Sequence, residues 1–207
     1  MATDDRRRSV FVLGAGYIGM SLIGELLKAG YNVTALVRRQ AHAEELAALS
    51  VTTVMGSLED SDLITVQSRA SDVVFHTASA DHASSALAIL EGVKQRVEKG
   101  QQAIYIHNSG GGVLDDGAAG RFKTDKVYKD DSRKDMDTVP DSNPHRSIDL
   151  TIVSRQRKIG VGAKIAIMIA PLIYGCMSHG PTKYRCLTTD IVQTTSSSSV
   201  SPYRPQL

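Results

Sequence analysis

The sequence predicts an α/β fold: a Rossmann-type doubly wound parallel sheet in strand order 3-2-1-4-5-6, three layers thick (α/β/α). Three observations predict it. Short apolar, β-branched runs alternate with amphipathic helical patterns along most of the chain, the rhythm of strand–helix–strand units. Each run ends in a small or polar cluster. A glycine turn also separates the first run from the first helix. Right-handed crossovers then bring all the polar clusters to one end of the sheet, where such folds bind ligands.

The first strand, Val10-Phe11-Val12-Leu13, leads into Gly14-Ala15-Gly16-Tyr17-Ile18-Gly19, and a helix with Ile18, Leu22, Ile23, Leu26 and Leu27 follows to Gly30. In that context the Gly-x-Gly-x-x-Gly spacing is a dinucleotide-binding fingerprint. Gly14 makes the tight turn, Gly16 admits a pyrophosphate to the backbone, and Gly19 lets helix and strand approach. The helix N-terminus, at Tyr17 and Ile18, offers amide donors and partial positive charge to phosphate. The second strand, residues 31–37, ends in Arg38-Arg39. An acidic residue at this strand end binds the ribose 2′-hydroxyl of NAD, whereas a basic one suits a 2′-phosphate. NADP is therefore the expected cofactor, ahead of NAD.

A short helix over 41–49, a strand over 51–55 and a helix around 63–68 come next. The fourth strand, 72–76, runs into Thr77-Ala78-Ser79, and a helix over 84–98 should bury Leu87, Leu90, Val93 and Val97. The fifth strand, 102–107, delivers Asn108-Ser109-Gly110. From Gly111 to Pro140 the periodicity breaks. A stretch this long in a compact domain is a lid or disordered, here anchored by Val113, Leu114, Phe122, Val127 and Tyr128. Asn143 and Pro144 read as cap and first residue of a helix that turns Ile148, Ile152 and Val153 inward and stops near Gly160. The sixth strand, 163–169, closes on Ala170-Pro171-Leu172-Ile173-Tyr174-Gly175. Residues 1–175 thus read as a nucleotide-binding domain and 176–207 as an irregular or disordered tail with a hydroxyl run at 194–199.

Composition is that of an ordinary globular domain, 42% hydrophobic and 22% charged, with net charge +2. Nothing in it calls for nucleic acid or a membrane. Arg6-Arg7-Arg8 reads as a solvated arm with no signal-peptide core behind it, and no stretch is long enough to span a bilayer. The two cysteines, Cys176 and Cys186, suit a reducing, cytoplasmic setting, and with His179 they match no zinc spacing, so no metal is expected.

These motifs resemble the short-chain dehydrogenase/reductase superfamily, most closely its extended and atypical epimerase/dehydratase-like members of fungal type. The resemblance spans about residues 9–175 and rests on the glycine motif, Gly56-Ser57-Leu58-Glu59-Asp60, His76-Thr77-Ala78-Ser79, Ser109, and Pro171 to Gly175. It implies Ser57 and Leu58 near the adenine, Thr77, Ala78 and Ser79 along the ribose and diphosphate, and Pro171, Leu172 and Ile173 beside the nicotinamide. The sequence departs from the family in carrying Ser57 where an Asp is usual. It also lacks the Tyr-x-x-x-Lys pair, whose place is taken by His145-Arg146-Ser147-Ile148-Asp149. The C-terminal substrate lobe of extended members is not recognisable in the residues after Gly175, which suggests a shortened chain.

The resemblance implies an NADP-dependent oxidoreductase or epimerase/dehydratase-like enzyme acting on a small carbonyl or hydroxyl metabolite. Ser109 would hydrogen-bond the substrate oxygen. His145 would donate the proton, oriented by Asp149 one helical turn on. The alternatives are a non-catalytic NADP(H) sensor that presents a surface to a protein partner, or an inactive truncated relative.

Overall fold

The computed structural model describes residues 7–119 and 121–173. The chain falls into two units, Met1–Pro171 and Leu172–Leu207. Of the second only Leu172 and Ile173 are described, so the expected irregular tail lies outside the described residues. In the first unit β1 (Ser9–Leu13), α1 (Tyr17–Lys28), β2 (Asn32–Val37), α2 (Gln40–Ala47), β3 (Thr52–Met55) and α3 (Ser61–Ala70) come first. They are followed by β4 (Val73–His76), α4 (Ala83–Glu98), β5 (Ala103–Gly110), a 3-10 turn (Gly111–Leu114), α5 (Arg133–Met136), α6 (Arg146–Ile159) and β6 (Ala163–Ala170). The sheet order is β3-β2-β1-β4-β5-β6 and every pairing is parallel, as the alternation predicts.

Strand alternation builds the two cores. Phe11 and Leu13 face α3, α4 and α6, where they meet Ile64, Ile89, Val93 and Ile152. Val10 and Val12 face α1 and α2, against Ile23, Leu26 and Leu46. Successive residues of a strand point to opposite faces, so one five-residue strand supplies both cores. On the α1–α2 side, β5 and β6 keep Ile104 and Ile106 partly buried, with Ala166 and Met168 exposed.

At the N-terminal edge of the strands the Arg96 guanidinium pairs with Asp72. It also donates to the Gln102 carbonyl at 2.8 Å and the Arg69 carbonyl at 3.2 Å. Asp72 in turn accepts from the Ser9 amide at 2.8 Å. One cluster thus joins β1, α3, α4 and the approach to β4 and β5.

Four expectations are corrected. Helix α4 turns Ile89, Leu90 and Val93 inward and leaves Leu87 exposed, because its inward stripe is shared with α3. Strand β5 does not end at His107: Asn108, Ser109 and Gly110 pair with Met168, Ile169 and Ala170 of β6. Residues 111–140 hold a 3-10 turn and a short helix, pinned by Val113 and Val139, while Phe122 and Val127 stay exposed. Finally α6 starts at Arg146 rather than at Pro144, and its Val153 is exposed. Asn143 spends its amide on the Val113 and Asp115 carbonyls, at 3.0 and 2.9 Å. It therefore latches the 3-10 turn instead of capping the helix.

Candidate functional site

The polar clusters converge at the C-terminal ends of the strands. Gly14 has φ +101°, and a Cβ there would lie 2.5 Å from the Ala78 backbone. A Cβ on Gly19 would strike the Gly14 carbonyl, whereas one on Gly16 meets nothing within 4 Å. Two glycines therefore close the turn and the third faces open space. Thr77 locks the arrangement, its hydroxyl donating to the Gly14 carbonyl at 2.7 Å. Helix α1 has no acidic residue in its first turn, so the N-terminal amides and dipole remain suited to an anion. These residues fit a dinucleotide pyrophosphate.

Arg38 and Arg39 are exposed just beyond β2, and neither guanidinium is engaged in an ion pair among the described residues. Ser57 and Leu58 follow β3. The Ser57 amide and hydroxyl donate to the Asp60 carboxylate at 2.6 and 3.0 Å, which holds Asp60 below the usual carboxylate range. Ser79 accepts from the Asp81 amide at 3.2 Å. Pro171 directly follows β6; Leu172 and Ile173 come next in the chain. A depression of about 410 Å³ lined by Arg7, Gly30, Tyr31 and Ser50 opens at the opposite end of the strands, away from all these groups.

Beside the crevice, β5 and α6 bring Ser109 and Asp149 together. The Ser109 hydroxyl donates to Asp149 Oδ2 at 2.9 Å, and the two residues are 1% and 4% exposed. Asp149 Oδ1 is buried without a hydrogen-bond partner among the described residues. Burial pushes this carboxyl above the usual range, while the Ser109 hydrogen bond and the charges of His145 and Arg146 pull it back.

His145 is placed differently from the expectation. It precedes α6 in the left-handed region at φ +67°, and its Nδ1 lies 2.6 Å from Asp81 Oδ1. The recorded partner of the imidazole is thus Asp81, on the turn between β4 and α4, and not Asp149, which is committed to Ser109. The imidazole lies against the glycine run: a Cβ on Gly110 would come within 2.9 Å of Nε2.

Sequence reasoning missed Asp81, a charged residue only four positions after Thr77. It also missed a buried polar ladder under the site. His76 Nδ1 and His107 Nδ1 are 3.2 Å apart, the Tyr105 hydroxyl is 3.1 Å from His107 Nδ1, and Ser85 Oγ is 3.2 Å from His76 Nε2. Because Ser85 donates to the His82 carbonyl, it accepts from His76 Nε2–H. Nδ1 of His76 is then bare and faces His107 Nδ1, which the Tyr105 hydroxyl also approaches. Burial drives His76 down to about 3 and His107 to about 4, and it raises Tyr105. Both imidazoles are therefore neutral. The signal available was the alternation Tyr105, His107, Ser109, three polar groups on one strand face.

Comparison with known proteins agrees with this crevice. The NAD(P)H-binding family profile matches residues 14–155, and the chain belongs to that family, within the short-chain dehydrogenase/reductase superfamily. It is 33% identical over 184 residues to the oxidase ucsJ of an Acremonium species, covering 84% of this chain and 51% of that protein. The chain thus spans about half the length of that relative. Two solved structures share the fold. Yeast methylglyoxal/isovaleraldehyde reductase Gre2 complexed with NADPH matches with a TM-score of 0.57 and 17% identity over 83% of this chain and 60% of that one. The Bordetella bronchiseptica enzyme WbmH in complex with NAD+ matches with a TM-score of 0.53 and 16% identity, over 79% and 56%. The chain is thus a member of an NAD(P)H-binding family. No described helix is long and apolar enough to cross a membrane.

Proposed function

We propose that this chain carries the coenzyme-binding part of an NADP(H)-dependent oxidoreductase acting on a carbonyl or hydroxyl carbon of a small metabolite. The observation that carries the reading is the meeting of two features at one sheet end. A glycine crevice is shaped for pyrophosphate, and beside it lie Ser109, Asp149 and His145. The coenzyme supplies the hydride; the chain's own residues bind and orient. Arg38 and Arg39 take the 2′-phosphate. Gly14, Gly16, Gly19, Tyr17 and Ile18 shape the phosphate cradle. Ser57, Leu58 and Thr77 to Ser79 border the adenosine and diphosphate, and Pro171 to Ile173 the reacting ring. Of the three polar groups only the His145 side chain is open to solvent, at 22%, and it exchanges the proton with the substrate oxygen. Ser109 gives its one hydroxyl proton to Asp149, so toward a substrate its oxygen can only accept, from a hydroxyl.

Cofactor choice tests the reading. A guanidinium–phosphate contact is a charge-assisted pair, so NADPH should bind more tightly than NADH by about 1–3 kcal/mol, or roughly 5- to 150-fold. Calorimetric titration of both cofactors should show this gap, and the double variant Arg38→Ala/Arg39→Ala should erase it. Equal affinities in the wild type would refute the NADP assignment. The absence of the Tyr-x-x-x-Lys pair favours one other reading, an NADP(H) sensor serving a protein partner. That reading gains if NADPH binds but a panel of small aldehydes and ketones gives no NADPH consumption.

A further inference from the structure

We propose that Asp81 is the positioning residue for His145: it holds the proton on Nδ1, so that Nε2 is the atom that exchanges a proton with the substrate. The inference rests on the oxidoreductase reading above and specifies how its proton moves.

Three observations converge on it. The Nδ1–Oδ1 separation of 2.6 Å is that of a charge-assisted hydrogen bond. A carboxylate can only accept, so the imidazole donates from Nδ1 and its second nitrogen is left without that proton. Next, His145 is held in the left-handed region at φ +67°, a conformation unfavourable for a non-glycine residue that persists where surrounding contacts impose it. The bond to Asp81 is one such contact, and it spans 64 positions of sequence. Last, the end of β5 and the 3-10 turn after it carry no side chain where one would intrude: a Cβ on Gly110 would lie 2.9 Å from Nε2, and one on Gly112 3.4 Å from it. The glycines leave room for the imidazole at the crevice wall, and Asp81 fixes its rotation there.

Asp81 lies two residues beyond Ser79 on the β4–α4 turn. The segment assigned to the diphosphate therefore also orients the proton-transfer group. In the reducing direction, the substrate carbon accepts a hydride from reduced nicotinamide coenzyme while the C–O π bond opens. With the ring as imidazolium, protonated at both nitrogens, the substrate oxygen would take the Nε2 proton, and the imidazole left behind is neutral and still protonated at Nδ1. In the oxidising direction Nε2 takes the hydroxyl proton while the hydride passes to oxidised coenzyme.

The test is a long-range proton–nitrogen NMR correlation on the 15N-labelled full chain at about pH 8, where free imidazole is neutral. His145 is assigned by the signal lost in His145→Gln. Wild type should show the Nδ1–H tautomer. Asp81→Asn should shift the population toward Nε2–H, and Asp81→Glu should restore most of it. Gly110→Ala, which leaves Asp81 intact but displaces the ring, should also lose the Nδ1–H signature. With the fastest carbonyl substrate of the panel, Asp81→Asn should lower kcat tenfold or more and change KM less than threefold, with NADPH affinity unchanged. An Nε2–H tautomer in wild type, or an Asp81→Asn spectrum identical to it, overturns the assignment. Failure of wild type to bind NADPH sinks the oxidoreductase reading instead, and the tautomer spectra judge the Asp81 contact either way.

Discussion

At the scale of single residues, the buried pair Ser109–Asp149 makes a sharp prediction. The hydroxyl stabilises the ionised carboxylate, and burial opposes ionisation. Ser109→Ala removes the favourable contribution and leaves the burial, so the Asp149 midpoint should rise further. A 13C titration of aspartate side chains, with Asp149→Asn for assignment, reads this directly. An unmoved midpoint would show that the hydroxyl does not donate to Asp149. Gly14→Ala is the second case. A side chain at φ +101° pressing on the Ala78 backbone should cost about 1–3 kcal/mol of stability from backbone strain alone and open the phosphate cradle. Urea denaturation should show the loss, and NADPH titration a drop in affinity of tenfold or more. The glycine turn was legible in the sequence because it depends on local backbone geometry. The His145–Asp149 pairing was not what the structure holds. Helical spacing alone suggests it, but the Asn143 latch delays the helix, and Asp81 reaches the imidazole from far along the chain. A tertiary hydrogen bond leaves no periodic trace.

At the scale of elements, the apolar rhythm located all six strands and the five main helices, since burial on one or both faces writes itself into hydrophobic spacing. Polar residues misled at the upper end of β5. Asn108 and Ser109 look like a strand end, yet the ladder continues because β6 is equally long and its residues pair with them. The element junctions rely on the Arg96 cluster, where a guanidinium with 10% of its side chain exposed ties the Arg69 carbonyl at the end of α3 and the Gln102 carbonyl before β5 to Asp72. Arg96→Met would keep the aliphatic stem but take the guanidinium away from Asp72 and from two carbonyls. Breaking such a pair costs about 3–5 kcal/mol when fully buried. Asp72 is 34% exposed, so a loss of about 2–3 kcal/mol is expected. Equilibrium unfolding in urea checks it, with a loss below 0.5 kcal/mol, the range of an ordinary surface change, contradicting a structural role.

At the scale of the whole molecule, the neutral histidines His76 and His107 couple the fold to pH. Both are fully buried, with values depressed to about 3 and 4. The unfolded chain takes up their protons near pH 6.5, and the folded chain only near 3 to 4. Stability from these groups is therefore complete above about pH 6.5 and declines as pH falls below it, by at most about 1.4 kcal/mol per pH unit for each histidine. Asp149, shifted upward, works in the opposite direction. Melting temperatures of wild type and of a His76→Gln/His107→Gln double variant should converge between pH 7 and pH 5, the wild type falling more steeply. Parallel curves would show that neither histidine titrates between the two states. This ladder was hidden from sequence reading because histidines in a strand look like ordinary polar positions until the sheet register sets them side by side.

The sheet order also bears on how the chain is made. Strand β1 pairs with β2 on one side and with β4 on the other, and β4 leaves the ribosome only after three helices and two further strands have been translated. At about 5–20 residues per second, the central strand waits several seconds with one edge of Val10, Phe11 and Val12 unpaired. The nascent chain is thus most vulnerable while its N-terminal half stands alone, and co-translational chaperone engagement is expected to peak before β4 emerges and to fall once Val73 to His76 dock beside it.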